Sequence, residues 1–466
     1  MAIVRADTET PVSAFLKMTE GPHRFLLESM EGGEKWGRYS FLGSEPSLVI
    51  RSLGNEIELL KGKKVQKEAG DPLEFIRSLL KKYHPVSVPE LPRFAGGLVG
   101  YLSYDMVRHM ERLPDEHKPS IPAYDSNLML QDSVVAFDNL AHRLEIVAMA
   151  DLESQGGVKK AYDAAVRRVN QLARRLKRPL PNLRRPRKPA RLNPVSNTTE
   201  AEFHRMVKKS IEYIKAGDIF QVVPSQRWET KFNHPPFQVY RELRQLNPSP
   251  YLFYLESGGQ VLTGSSPEVM VRLEGERITL RPIAGTRRRG RDAADEIRMQ
   301  EEMMADPKEI AEHIMLVDLG RNDVGRVSQT GSVKVTEMLV VEKYSHVMHI
   351  VSNVEGKKRR GQDAVDVLKA TFPAGTLTGA PKIRAMEIIE ELEKGRRGPY
   401  GGCAGYLDFY GNMDTAITIR SLFLAEGKAW FQAGGGVVLD SKPRLEYLES
   451  TNKARIMVEA LKRCSS

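Results

Sequence analysis

PYGGCAGYLDFYGNMDTAITIRS, Pro399 to Ser421, is the stretch on which the fold turns. Residues 401–405 read Gly-Gly-Cys-Ala-Gly and match a G-x-C-x-G nucleophile turn. A cysteine nucleophile needs a histidine, and usually a carboxylate, which the sequence does not place. The flanks GYLDFYG and TAITIRS read instead as two strands of a hairpin. Strand-like runs recur far upstream: RFLLESM, RYSFLG, PSLVIRSLG and NEIELLKG, each bounded by turn residues, predict strands of an antiparallel sheet. PLEFIRSLLKKY and LESQGGVKKAYDAAVRRVNQLARRL have the 3.6-residue period of amphipathic helices. In TEAEFHRMVKKSIEYIKAGDIFQVVPSQRWE, Thr199 is placed as an N-cap with Glu202 at the capping-box position, Gly217 as the helix stop, and a strand follows.

The 466 residues are 41% hydrophobic and 28% charged, a globular composition with room for two or three domains or one large one. No run of about 18 uncharged apolar residues predicts a membrane span. MAIVRADTETPVSAF lacks the apolar core of a secretory signal. Two cysteines, Cys403 and Cys464, offer no disulfide framework, and a cytoplasmic protein is expected. The net charge of +10 is local: Arg174 to Arg191 holds nine Lys/Arg, four prolines and no acid, leaving the rest of the chain near +1. This basic, Pro-rich stretch is expected to be a solvated linker. Contact with a partner is the alternative; nucleic-acid binding lacks any stacking platform or zinc spacing. The expected division is an N-terminal domain 1–172, a linker 173–197 and a C-terminal domain 198–466.

The chemistry-bearing clusters all follow the linker. DPKEIAEHIMLVDLGRND places Glu309 and Glu312 at i, i+3; RLEYLESTNKARIMVEAL does the same for Glu446 and Glu449. Each pair shares one helix face, where like charges repel and invite a counter-ion; hard oxygen ligands suit Mg²⁺. Solvated acidic faces are the alternative. FPAGTLTGAPK and QAGGGVVLD allow backbone N–H groups close to an oxyanion, yet neither is a Walker A loop. In EKYSHVMHIVSNVEG, His346 and His349 have odd separation, so on a strand they point to opposite faces and only one can face a given site. RPIAGTRRRG, Arg281 to Gly290, joins a Gly-Thr pair to three arginines, which suggests an anion.

PIAGT, AEHIMLVDLGRNDVGRV, YSHVMHIVS, TFPAGTLTGAPK, YGGCAGY, DTAITIRS and the AGGGVV segment occur in this order. The chain thereby resembles the chorismate-utilising enzymes, and among them the large subunits of anthranilate synthases, over nearly its whole length. That resemblance implies an α/β fold of α+β type, with large, mainly antiparallel sheets in a sandwich-like core and surrounding helices. It implies Mg²⁺ carboxylates at Glu312 and Glu449, with Glu309 and Glu446 beside them, directly or through water. It implies chorismate binding by Gly285, Thr286, Tyr400, Arg420, Gly434, Gly435, Gly436 and Lys453. Glu268 in GSSPEVM matches the family's general acid, and His349 the histidine near the departing hydroxyl. Arg287 to Arg289 match no motif and are expected to be solvated or supporting charges.

Two positions select the member. Relatives that add water carry a lysine where this chain has Gln221; ammonia already has a free lone pair and needs no such base. Aminodeoxychorismate synthases typically carry a nucleophilic lysine in a PIKGT loop where this chain has Ala284. The resemblance therefore implies amination of chorismate at C2 and pyruvate elimination to anthranilate in tryptophan biosynthesis. Aminodeoxychorismate synthase component I is the alternative within the class, and a basic nucleic-acid-binding protein the alternative outside it. Ser29 in LLES and Pro250, Tyr251 and Leu252 in NPSPYLFY, within segment 247–254, match the family's L-tryptophan feedback site. The implied partner is a glutamine amidotransferase subunit, in a heterotetramer of two large and two small subunits. No nucleic acid and no membrane are expected.

Overall fold

In the computed structural model, which describes residues 1–29, 37–86, 88–153, 156–182, 192–344 and 347–464, the apolar runs pair into two large antiparallel sheets. The eleven-stranded sheet runs Ala2–Arg5, Arg143–Ala148, Ser133–Asp138, Tyr39–Ser44, His23–Glu28, Tyr251–Ser257, Gln260–Ser266, Ser421–Ala425, Lys428–Gly434, Ser225–Lys231, Val195–Ser196. The twelve-stranded sheet runs Ile283–Arg288, Val347–Lys357, Arg277–Leu280, Val269–Glu274, Met413–Ile417, Cys403–Asp408, Gly97–Leu102, Ser126–Gln131, Leu48–Leu53, Glu56–Lys61, Lys64–Ala69, with Lys334–Lys343 also paired to Val347–Lys357.

The sheets face each other. Phe25, Phe41, Phe253 and Leu255 of one interleave with Val49, Val99, Tyr101 and Tyr406 of the other. The next residues along the same strands, Leu26, Leu42, Leu252 and Tyr254, point outward against the helices Pro11–Met18, Val158–Leu176, Pro236–Leu246 and Pro443–Arg463. The twelve-stranded sheet is covered in the same way by Pro72–Leu80, Pro307–Gly325 and Ala364–Thr371. Four layers result: helices, sheet, sheet, helices. Strands buried on both faces need no polar alternation, which is why they appear as continuous apolar runs.

The four N-terminal runs all form strands, but His23–Glu28 and Tyr39–Ser44 lie in one sheet while Leu48–Leu53 and Glu56–Lys61 lie in the other. The opening hairpin also divides: Cys403–Asp408 and Met413–Ile417 pair, then the chain leaves the sheet and Ser421–Ala425 enters the second one. TAITIRS is thus not one strand but a strand end, a corner and a strand start. Cys403 lies within a strand and is 2% exposed; burial pushes its thiol up to about 12, so it is no activated nucleophile.

Strands from both sides of the linker share both sheets, so the division at 173–197 separates sequence rather than sheets. The basic stretch also begins later than expected: helix Val158–Leu176 includes Arg174 and Arg175. Arg175 is not solvated. It is 3% exposed and bridges Glu45 at 2.6 Å and Glu20 at 2.9 Å. Residues 183–191 of the stretch, and His346, lie outside the described residues.

Candidate active site

Helix Pro307–Gly325 begins at Asp306, whose carboxylate caps the Lys308 and Glu309 amides. It carries Glu309 and Glu312 toward one cleft. Helix Pro443–Arg463 brings Glu446 and Glu449 from the other side. The glycine turn after Lys428–Gly434 runs between them. A Cβ on Gly435 would sit 3.3 Å from both Glu446 Oε2 and Glu449 Oε1; one on Gly436 would sit 3.6 Å from Glu312 Oε1 and collide with the Gln221 amide. Gly285, at φ +64, stands over Glu309 Oε2 at 3.4 Å from its missing Cβ. The glycines therefore mark where backbone must pass against carboxylates, a close approach that side chains would block.

Electrostatically the cluster is strained. Burial, then the charges of Glu309 and Glu449, push the Glu312 carboxyl up; burial and Glu449 do the same to Glu446. Lys453 answers part of this, bridging Glu449 Oε1 at 2.6 Å and donating to the Gly434 carbonyl at 3.1 Å. Arg287 answers another part: its Nη1 lies 2.9 Å from Glu309 Oε1, and it reaches Asp306. This is the supporting role expected of the run Arg287 to Arg289, here made specific to one residue. Arg288 pairs with Asp295 and Arg289 with Glu296, each on helix Ala293–Ala305. Of these three pairings, that of Arg287 is with a candidate ligand. Four oxygen-donor groups with excess negative charge match the demands of a hard divalent cation. Among the described residues, however, no three of them already stand at metal-holding separation.

Gln221 lies 3% exposed in the short pairing of Gln221–Val222 with Gly379–Ala380, and its Nε2 donates to Glu312 at 3.3 Å. Ala284 sits opposite Ile350 on strand Ile283–Arg288. Beside it, His349 is held at Nδ1, 2.8 Å from the Gly285 carbonyl and 3.2 Å from the Thr286 hydroxyl. A carbonyl only accepts, so Nδ1 carries the proton and Nε2 is the acceptor of the neutral ring.

Glu268 and Arg420 occupy the two corners where the chain changes sheets: Ser266 to Val269, and Ile417 to Ser421. The corners brace each other. The Ile417 amide donates to the Glu268 carbonyl at 3.0 Å, and the Ser265 amide to the Arg420 carbonyl at 3.1 Å. Arg420 takes the left-handed φ of +49 to make its turn. From these corners Glu268 lines a pocket, and Arg420 lies close enough to Tyr400 and Glu449 to interact with their charges. Glu268 is 8% exposed, and desolvation pushes it up to about 8, against the pull of Thr376 and Lys453. A pocket adjoins it, lined by Met270, Leu316 and Thr376 among others. Burial lowers the Arg420 guanidinium; Tyr400 and Glu449 oppose that shift, and no carboxylate bridges it among the described residues. Tyr400, 8% exposed and pushed up to about 12 by burial, hydrogen-bonds the Gly434 backbone.

A second cavity brings Ser29 together with Pro250, Tyr251 and Leu252. Arg93 and Asp414 also line it. The sequence reading missed these two, as it missed Thr376 and Arg397. GRRGPY carries an arginine run with nothing to say which one turns inward.

A profile of chorismate binding enzymes matches residues 23–459. The anthranilate synthase component 1 of Acetivibrio thermocellus is 46% identical, across 98% of this chain and 94% of that protein. That of Aquifex aeolicus is 48% identical, across 98% and 92%. Among solved structures, anthranilate synthase component I from Streptococcus pneumoniae superposes with a TM-score of 0.82 at 35% identity, across 98% of this chain and 99% of that one. The menaquinone-specific isochorismate synthase from Escherichia coli shares the fold, at a TM-score of 0.74 and 18% identity, across 99% and 94%.

Proposed function

The chain belongs to the chorismate binding enzyme family, and on that premise we propose that it is the large subunit of an anthranilate synthase, adding ammonia to C2 of chorismate and eliminating pyruvate. The observation that carries this choice of member is Gln221. A buried amide that donates to Glu312 cannot take a proton from water. The nucleophile must be reactive without first losing a proton, as neutral ammonia is. Ala284 agrees, since it puts no amine beside the Gly285–Thr286 turn.

Arg420 receives a substrate carboxylate as a guanidinium without a bridging carboxylate of its own, with Tyr400 and the Gly434–Gly436 amides alongside. Gly285 and Thr286 flank the ring. Glu268, protonated at neutral pH because of its burial, gives its proton to the C4 hydroxyl as that group leaves and ammonia adds at C2. His349, fixed by the Gly285 carbonyl, presents Nε2 as an acceptor near the same oxygen. Loss of pyruvate then aromatises the ring. Glu312 and Glu449, with Glu309 and Glu446, are the residues that would hold Mg²⁺. When bound, it neutralises the ring carboxylate and draws electron density from the diene as a Lewis acid.

Ammonia from glutamine requires an amidase nucleophile. Both cysteines are buried and burial pushes each thiol up to about 12, so neither supplies a thiolate near neutrality. A glutamine amidotransferase subunit is therefore the partner, in a complex of two large and two small chains. L-tryptophan is the ligand of the cavity at Ser29 and Pro250–Leu252, and inhibits by its differential affinity for a less active arrangement. No helix among the described residues is long and apolar enough to cross a membrane, and the cytoplasm is the proposed location. The test is product identification from chorismate, Mg²⁺ and ammonium. Anthranilate with pyruvate is expected; isochorismate, salicylate or aminodeoxychorismate would overturn the assignment.

A further inference from the structure

We infer that Arg397 is a positioning residue that orients Tyr400 and locks three cleft-forming segments to one another. The inference rests on the reading that Tyr400 binds chorismate. Arg397 and its partner Glu393 have side chains only 1% and 6% exposed. The guanidinium faces the carboxylate in a fork, Nε to Oε2 at 3.0 Å and Nη2 to Oε1 at 2.6 Å. Its remaining donors reach two backbone carbonyls: Leu377 at 2.7 Å from Nη1, and Val223 at 2.7 Å from Nη2. Its carbon centre lies 4.7 Å from the Tyr104 ring centroid and 5.6 Å from that of Tyr400.

Each contact leads to the cleft. Val223 follows Gln221 by two residues. Leu377 follows Thr376, which lies beside Glu268. Glu393 Oε1 also accepts from the Ser225 amide at 2.8 Å and the Ser225 hydroxyl at 2.7 Å. Ser225 sits opposite Gly434 in the sheet, and its hydroxyl accepts from Gln432 at 2.7 Å. Tyr400 closes the ring of contacts by bonding the Gly434 backbone. Arg397 thus bonds the Gln221 and Thr376 segments directly and reaches the Gly434 turn through Glu393 and Ser225, while covering one side of the tyrosine ring. A lysine carries a point charge and cannot reproduce this planar fork together with two carbonyl bonds. Buried ion pairs contribute little net stability against apolar replacements, so placement of these segments is the role that the geometry supports.

The experiment is a double-mutant cycle on the full chain with ammonium as nitrogen donor: wild type, R397K, Y400F and R397K/Y400F, each with KM for chorismate, KM for ammonium, kcat and a thermal melt. We expect R397K to raise the chorismate KM about ten-fold or more, since small misplacements of binding groups have large effects. The ammonium KM should stay at the wild-type value. In the Y400F background R397K should add a smaller rise, the part carried by the Gly434 turn and the segment beside Glu268. An equal fold-rise in chorismate KM in both backgrounds, or a chorismate KM that R397K leaves unchanged, overturns the inference. Should R397K fail to fold, E393Q, which loosens the same fork with a side chain of equal size, carries the cycle with the same outcomes. Wild type that turns over no chorismate at all would instead refute the functional reading.

Discussion

The two cavities lie back to back and treat charge in opposite ways. In the cavity at Ser29 and Pro250–Leu252, the charged groups pair, although Arg93 Nε is buried without a hydrogen-bond partner among the described residues. Tyr251 donates to Asp414 at 2.9 Å, and Arg93 lies 3.5 Å from the same carboxylate. Across the strand Met413–Ile417 the cleft leaves its charges strained: Glu268 is desolvated, Glu312 is crowded by like charges, and Arg420 lacks a bridging carboxylate among the described residues. Ala416 lines the first cavity and Ile417 the second. A pocket whose charges are paired is suited to a visiting ligand that changes an equilibrium. A frustrated one is suited to binding a charged substrate, whose carboxylates, metal and leaving group supply what the protein withholds.

Removing a carboxylate from the strained side should break the contrast most severely. Glu312→Ala and Glu449→Ala are each expected to abolish Mg²⁺-dependent anthranilate formation while the thermal melt holds or rises, because like-charge repulsion is relieved. Near-normal turnover at ordinary Mg²⁺ would remove that residue from the metal set. Next, Glu268→Gln is expected to lower kcat by about 10²–10⁴-fold, the usual range for a general acid. Its stability should change the other way. Burial pushes the folded carboxyl up to about 8 against an ordinary 4.5, so the contribution of this group to stability is fully present below pH 4.5 and is lost as pH rises through 8. The amide of the Glu268→Gln variant carries no such penalty: the two melts should coincide at pH 4 and separate, variant above wild type, at pH 9. Coincident melts at both pH values would mean that Glu268 is not desolvated.

Smaller effects sharpen the comparison. Ala284→Lys should reduce anthranilate formation about ten-fold or more by placing a long side chain beside the Gly285–Thr286 turn, where geometry governs rate. Unchanged product formation would show that Ala284 does not face the reacting carbon. On the charge-paired side, Ser29→Arg should leave uninhibited turnover near wild type and shift the tryptophan inhibition curve to higher concentration. Superimposable curves would exclude this cavity as the inhibitor site.

Helices with caps and a 3.6-residue period were legible from local sequence alone. Glu200–Ala216 has the expected Thr199–Glu202 capping box and ends at Gly217 in the left-handed region. The strands were legible as strands, but not their sheet: Leu48–Leu53 resembles Tyr39–Ser44 in composition and lies in the opposite layer. Three residues, 45–47, make that change, and no local propensity encodes which partner a strand will meet. The carboxylate pairs could be read from i, i+3 spacing, yet their convergence depends on the Gly435–Gly436 turn that passes between two helices over 100 residues apart. Arg287 and Arg397 were hidden for a different reason. In a run of arginines, burial and partner are tertiary facts.

The pairing of His23–Glu28 with Tyr251–Ser257, tied by Arg24 and Glu256 at a separation of 232 residues, sets a delay on the ribosome. At about 5–20 residues per second, the first strands are exposed for about 10–50 s before their neighbour is synthesised. Throughout that interval both nascent sheets have open edges, flanked by apolar faces that later strands and helices will cover. Such edges are templates for strand addition from other chains. The interleaving that unites the two halves of the cleft therefore makes the unfinished polypeptide a natural client for chaperones that shield strand edges during translation.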